Sequence, residues 1–224
     1  MQSGDVAGCL AWLALMGGYV DAVRRLGRVA KEPPAPARGG RRPLKLVRPA
    51  SRPLPPRPTV PRRMMTISIL LTPDLVLPAL PARAKAEVLD TLAAHVGRAH
   101  PHVDAHRLAS ALHERERQST TALENGIAIP HVRLAGLSAP LAALARTTSA
   151  IACGAVDGRP TQLFLLLVVS AEQPAGLLRL LAKAARLLSD ARCRARLLAA
   201  PSAGELLAVL REHEERAQRS LPAA

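Results

Sequence analysis

Seven consecutive apolar residues, Leu163-Phe164-Leu165-Leu166-Leu167-Val168-Val169, follow the turn-forming run Asp157-Gly158-Arg159-Pro160. In a strand, successive side chains point to opposite faces, so a strand with one wet face alternates apolar and polar residues. A run without alternation at this length reads as a strand covered on both faces, as at the centre of a layered α/β sheet.

The neighbouring patterns supply the covering layers. Residues 82–99 place Val88, Leu89, Leu92, Ala93 and Val96 at three- and four-residue intervals, which predicts an amphipathic helix. Asp104 is placed to cap a second helix running to about Glu116, with Leu108, Ala111 and Leu112 on its inner face. Ile127-Ala128-Ile129 reads as a short β-type run stopped by Pro130, and residues 141–145 as a further strand. After the long apolar run, residues 176–188 form an apolar-faced helix and Asp190 caps another over residues 192–199. Ser202-Ala203-Gly204-Glu205 is a capping box before Leu206, Leu207 and Leu210. The segments 66–71 and 76–77 read as short extended or edge elements punctuated by Pro73, Pro78 and Pro81. The expected fold is α/β: a small mixed sheet flanked by helices on both faces.

Composition divides the chain near Met64-Met65. The formal charge is +14 over 224 residues, from 31 Lys and Arg against 17 Asp and Glu. Residues 1–63 hold 13 of the bases and three of the acids, Asp5, Asp21 and Glu32, a net of +10, and ten of the 20 prolines fall between Pro33 and Pro61. Subtraction leaves a net of +4 for residues 64–224. Prolines at this density remove backbone donors and forbid helix, so residues 1–63 are expected to be a disordered Pro/Arg-rich leader, residues 64–216 the folded domain and residues 217–224 a tail. If translation starts at Met64 or Met65, the leader is an artefact of start-site choice. Its apolar stretch from Cys9 to Met16 is too short to span a membrane and lacks the basic flank of a signal peptide. Nucleic-acid binding through the leader's arginines is disfavoured, because its aromatics, Trp12 and Tyr19, lie outside the arginine-rich stretch and offer no stacking platform.

Metal chemistry is not expected. Cys9, Cys153 and Cys193 have no metal-like spacing and suit a reducing cytosol. In His100, His102, Asp104 and His106 the aspartate is the better helix cap, which leaves a solvated helix entry. His113-Glu114 lacks the second histidine of a zinc-protease helix, since Arg117 stands in its place.

The residue types that carry chemistry concentrate between Arg115 and His131. His131 follows a β-type run and a proline, so its ring is expected on a rigid support at a strand end, where α/β folds place reactive groups. An imidazole there can be nucleophile, general base or ligand, with a neutral fraction available at physiological pH.

In this segment Arg115-Glu116 is followed after three residues by Thr120-Thr121, and then by Gly126-Ile127-Ala128-Ile129-Pro130-His131. The pattern resembles the type 2 enzyme IIA domains of the bacterial phosphoenolpyruvate-dependent phosphotransferase system, the mannitol, fructose and nitrogen-regulatory members, over about residues 65–213. The resemblance implies a cytoplasmic phosphocarrier that needs no cofactor. His131 would accept a phosphoryl group, at Nε2 by family expectation, from an HPr-like carrier and pass it to an enzyme IIB or hold it as a signal. Arg115 would stabilise the phosphoryl oxygens, and Thr121 and the phosphate-loop residues Thr120, Asn125 and Gly126 would supply neutral donors. Gly126 also admits a positive φ or a close backbone approach.

Departures from the pattern bear on activity. Ala122 and Glu124 replace turn glycines, restrict the loop and bring a carboxylate toward the site, and Leu177 stands where sugar-transporting members often carry a second histidine. All three are expected to weaken phosphorylation. Leu177 and the lack of any membrane-length apolar stretch favour a nitrogen-regulatory member, acting on targets such as potassium-transport or sensor proteins, over a fructose- or mannitol-type transport component. A binding module of the same fold that does not carry phosphate is the further alternative.

Overall fold

The computed structural model describes residues 66–172 and 174–219. The leader over 1–63, Met64-Met65 and the end of the tail therefore lie outside the described residues. The long apolar run forms strand β5, Thr161–Ser170, which pairs on both sides. Strand β1 (Val76–Leu80) lies parallel to β4 (Leu141–Ile151), β4 runs antiparallel to β5, and β2 (Ile127–Ala128) and β3 (His131–Leu134) both lie parallel to β5 along its other side. The sheet is thus mixed and five-stranded.

Side chains of β5 alternate between two cores. Phe164, Leu166 and Val168 pack with the inner faces of helices α1 (Lys85–Ala99) and α2 (Ala105–Gln118). Leu163, Leu165, Leu167 and Val169 pack on the other side with helices α3 (Pro174–Ser189), α4 (Ala191–Ala199) and α5 (Ala203–Arg219). Every one of these strand residues is nearly or fully buried, which is why the run has no polar position. Small residues of β4, Ala142, Ala143 and Ala145, let both helical layers approach beside Phe164, the single Phe, Tyr or Trp among the described residues.

The caps form largely as the sequence indicates. Asp104 accepts from the amides of His106 and Arg107, Asp190 from that of Cys193, and Ser202 Oγ from that of Glu205 at 3.2 Å. The first of these consumes the carboxylate of the histidine-rich run. Among the described residues no group of His, Cys, Asp and Glu is placed to hold a metal, and no helix is long and apolar enough to cross a membrane.

Four expectations need correction. Instead of an extended segment, the chain from Ile67 makes two 3₁₀ turns, Ser68–Leu70 and Pro73–Leu75, pinned where Glu214 of α5 accepts from the amides of Ile67 and Ser68 at 2.5 and 3.0 Å. Helix α1 starts at Lys85, since the preceding Ala84 is extended. Strand β4 continues to Ile151, six residues beyond the apolar stretch. The helical part of α5 reaches Arg219, past the boundary expected at 216. His131 stands at a strand end after β2 and Pro130, as expected, and in addition opens a further strand, β3, which the sequence did not indicate.

Candidate phosphoryl-transfer site

Strands β2 and β3 are one strand position interrupted at Ile129-Pro130. Ile127 pairs with Leu163 and His131 with Leu167, so the same register resumes after the break. Proline cannot donate to the ladder, but its carbonyl still accepts from the Leu167 amide at 2.9 Å. On the outer side, residues 121–123 fold back along β2: Ala122 bridges Ala128, the Leu123 amide donates to Ile127 O at 2.8 Å and the Ile129 amide to Thr121 O at 3.0 Å. This short hairpin is turned by Asn125 and Gly126, both at positive φ, 65° and 74°. Asn-Gly suits that conformation because asparagine tolerates it and glycine has no Cβ to clash.

The half-buried His131 ring is held from both nitrogens. Nδ1 lies 2.8 Å from Ile129 O, and Arg115 Nε donates to Nε2 at 3.3 Å. A carbonyl only accepts, so Nδ1 carries the proton and the Nε2 lone pair faces the guanidinium. Burial, first, and then the positive charges of Arg115 and Arg133 hold the ring's pKa below the usual histidine range, against the opposing influence of the Ile129 carbonyl and Glu116. The result is a neutral imidazole with a defined tautomer whose Nε2 lone pair lies against the Arg115 guanidinium.

Arg115 projects from the last turn of α2, and its Nη1 donates to Ser119 O at 2.9 Å, where the helix has ended. Glu116, its neighbour, turns to a different set of partners. The carboxylate pairs with Lys85 from the start of α1, and accepts from the Thr121 amide at 3.1 and 3.2 Å and from the Thr121 hydroxyl at 2.6 Å. Lys85 also donates to Thr120 Oγ1 at 2.8 Å and to Cys153 O at 3.2 Å, and Thr120 Oγ1 donates to the same carbonyl and accepts from the Ala122 amide.

The expected site residues therefore separate into groups. Arg115 and His131 are in direct contact. Thr120 and Thr121 lie on the adjoining strap, with their hydroxyls engaged by Cys153, Lys85 and Glu116. Asn125 and Gly126 are at the hairpin tip, opposite the start of β5 at Gln162 and Leu163, whereas His131 is opposite Leu167. Four strand residues separate those positions, about 13 Å. The Asn125 amide donates to Asp157 at 2.7 Å, and a Cβ on Gly126 would stand 3.1 Å from Pro160 O. Exposed Glu124 shares that tip, and Leu177 is buried in the core under α3.

Sequence reasoning gave no role to four residues, although one of them, Glu116, stands in the quoted pattern. Ser119 braces Arg115 through a carbonyl, which any residue type could supply, and Lys85 and Glu116 meet only because α1 and α2 pack as a pair. Arg133 was accessible to pattern: once β3 is recognised, it lies two residues after His131 and on the same face, exposed, while Val132 and Leu134 turn to the core.

Residues 69–213 match the family model described as "Phosphoenolpyruvate-dependent sugar phosphotransferase system, EIIA 2". The chain is 35% identical over 147 residues to a nitrogen regulatory protein of Pseudomonas aeruginosa, covering 66% of this chain and 96% of that one. It is 27% identical over 151 residues to a fructose-specific EIIABC component of Bacillus subtilis, covering 67% of this chain and 24% of the longer protein. Among solved structures it is similar to the nitrogen regulatory protein IIA-Ntr of Neisseria meningitidis, with a TM-score of 0.61 at 27% identity over 64% of this chain and 98% of that one. The fold is also that of mannitol IIA from Escherichia coli, with a TM-score of 0.54 at 17% identity over 62% and 98% of the two chains. With Arg115 and His131 set in that fold and the match spanning the whole sheet and the helices up to residue 213 of α5, the chain belongs to the type 2 EIIA family of the phosphoenolpyruvate-dependent phosphotransferase system.

Proposed function

We propose that this chain is a phosphohistidine carrier: His131 Nε2 accepts the phosphoryl group from a phosphohistidine on an HPr-like carrier and passes it to an enzyme IIB or retains it as a regulatory signal in the cytoplasm. The observation that carries this reading is the pair of contacts on the ring, Ile129 O on Nδ1 and Arg115 on Nε2. In the transfer, the Nε2 lone pair forms the new N–P bond as the donor's N–P bond breaks and its electron pair returns to the donor nitrogen. Nδ1 keeps its proton, so the phosphorylated ring becomes cationic and its hydrogen bond to Ile129 O strengthens. Arg115, released from Nε2, turns its N–H donors to the equatorial oxygens, and Arg133 adds a second positive charge on the same face of β3. Thr121, expected as a donor to the phosphoryl group, serves in this reading through the strap that holds Glu116.

A regulatory role is preferred because relatives at 35% and 34% identity are nitrogen regulatory proteins and because Leu177 contributes no second histidine. Its targets would then be proteins such as potassium transporters or sensors. The test is to incubate the full chain with phosphoenolpyruvate, enzyme I and the HPr-like carrier and to measure intact mass at neutral pH, where a phosphohistidine survives. A gain of one phosphoryl group that disappears in His131→Ala is expected. No gain, under conditions that label a sugar-transporting IIA, would leave a binding module of the same fold. Onward transfer to a IIB domain would favour the transport reading.

A further inference from the structure

The contacts around Glu116 are more than the helix end needs. A carboxylate at the C-terminal end of a helix faces the negative end of the helix dipole, an unfavourable place for it. Here it is also mostly withdrawn from water: the Glu116 and Lys85 side chains are 16% and 13% exposed. Burying such a pair stabilises little on balance, because desolvation of both charges offsets their attraction. Its distinguishing property is geometric. The pair fixes three segments that are remote in sequence: the start of α1 through Lys85, the loop after β4 through Cys153 O, and the strap formed by Ser119, Thr120 and Thr121.

That strap sets both contacts on the ring. Ser119 O holds the Arg115 guanidinium from one side, while Thr121 O accepts from the amide of Ile129, the residue whose carbonyl orients Nδ1. Displacing the strap therefore moves the cation and the orienting carbonyl together. We infer that the Lys85–Glu116 pair positions His131 and Arg115 for phosphoryl transfer by locking the Ser119–Thr121 strap between them. This rests on the phosphocarrier reading for its kinetic consequence, but its geometric content concerns the unphosphorylated protein and can be measured apart from transfer.

The experiment uses the full chain and four variants, Lys85→Met, Glu116→Gln, Lys85→Arg and Glu116→Asp, with Arg196→Ala as a control that breaks the distant Arg196–Glu212 pair between α4 and α5. Two quantities are read: the rate of phosphorylation by the HPr-like carrier per folded molecule, and the tautomer of His131 from ring ¹⁵N shifts without any phosphate donor. In Lys85→Met and Glu116→Gln the Nδ1-protonated tautomer is expected to lose its dominance. The rate should fall by about ten- to a hundredfold, the scale of a misplacement near 1 Å at a reacting centre. Lys85→Arg should restore most of both, and Arg196→Ala should change neither. If the neutralising variants keep the parent tautomer, or lose rate only in proportion to their folded fraction, the inference is overturned. Should they fail to fold, Glu116→Asp, whose shorter side chain cannot reach Lys85 and Thr121 together, supplies the disrupting arm, with Lys85→Arg as the conserving one. Should the parent accept no phosphate at all, the carrier reading falls and the tautomer alone decides whether the pair positions the ring.

Discussion

The segment from Arg115 to His131 has two ends built from similar materials and put to different uses. At the His131 end the polar groups combine local bonds with ties to elements far along the chain: α1 through Lys85, α2 through Arg115 and Glu116, and the loop after β4 through Cys153 O. At the hairpin tip the Asn125 amide donates to Asp157 and the Gly126 carbonyl accepts from the Gln162 and Leu163 amides, yet these bonds serve to seat the turn against the loop before β5 and the start of that strand. The difference teaches that a glycine and an asparagine close to His131 in sequence are not thereby close to it in space. A strand carries them about 3.3 Å farther away with every residue.

The comparison breaks most sharply at Arg115. Arg115→Ala removes the guanidinium from Nε2 and from the position facing the transferred group, and is expected to lower the phosphorylation rate by about 10²- to 10³-fold, as for loss of a donor that stabilises developing charge. Rapid-quench labelling of the folded protein measures it. Arg115→Lys should recover only part, because a point charge cannot hold Ser119 O and the phosphoryl oxygens at once.

A pH profile tests the same end. Protonation of Nε2 removes the lone pair, and the ring's pKa is depressed in the folded protein by burial first and then by Arg115 and Arg133. The rate should therefore stay level through neutrality and fall only as pH drops below the usual histidine value of about 6.5. Removing Arg115 lifts one depressing influence, so the acid limb should move to higher pH while burial still holds it below that of a free histidine. A limb that moves down, or a parent protein that already loses rate above pH 7, would contradict the ring environment described.

At the tip the expected effect is on stability and not on rate. Gly126→Ala must place a Cβ at φ 74° and 3.1 Å from Pro160 O. Left-handed backbone costs a residue with a side chain about 1–2 kcal/mol, to which the tight contact adds. Urea unfolding should report this loss while the folded fraction phosphorylates at the parent rate. A rate loss larger than the loss of folded protein would return Gly126 to the phosphate site.

What was legible in the sequence follows the same division. The both-face burial of β5 could be read because seven positions lack any polar residue, and the helix caps because Asp104, Asp190 and Ser202 stand directly before periodic apolar runs. His131 and Arg115 could be read from their spacing in a family pattern. Strand β3 was hidden because Pro130 looks like a terminator, although proline interrupts donation only and the register continues across it. Residues 66–71 looked extended for their β-branched and apolar content, and the amide contacts with Glu214, 146 and 147 residues later, instead draw them into turns. Lys85 offered no signal at all, since its meaning depends on how two helices pack.

Glu124 is where the two ends can be told apart most finely. Read along the sequence, it brings a carboxylate to a site that must accept a dianionic group, and its removal ought to speed phosphorylation. In the structure it is exposed at the hairpin tip, beside Asn125, which contacts Asp157, and Gly126, which contacts Gln162 and Leu163. At a separation of about 13 Å the repulsion crosses more than one Debye length, which is about 8 Å at physiological ionic strength, and much of it passes through water. Glu124→Gly should then change the rate by less than about twofold at 0.15 M salt, with a somewhat larger acceleration at 0.01 M where the screening length reaches about 30 Å. A tenfold acceleration at physiological salt would mean that the tip folds over His131 when the partner docks, and the distinction between the two ends would hold only for the free protein.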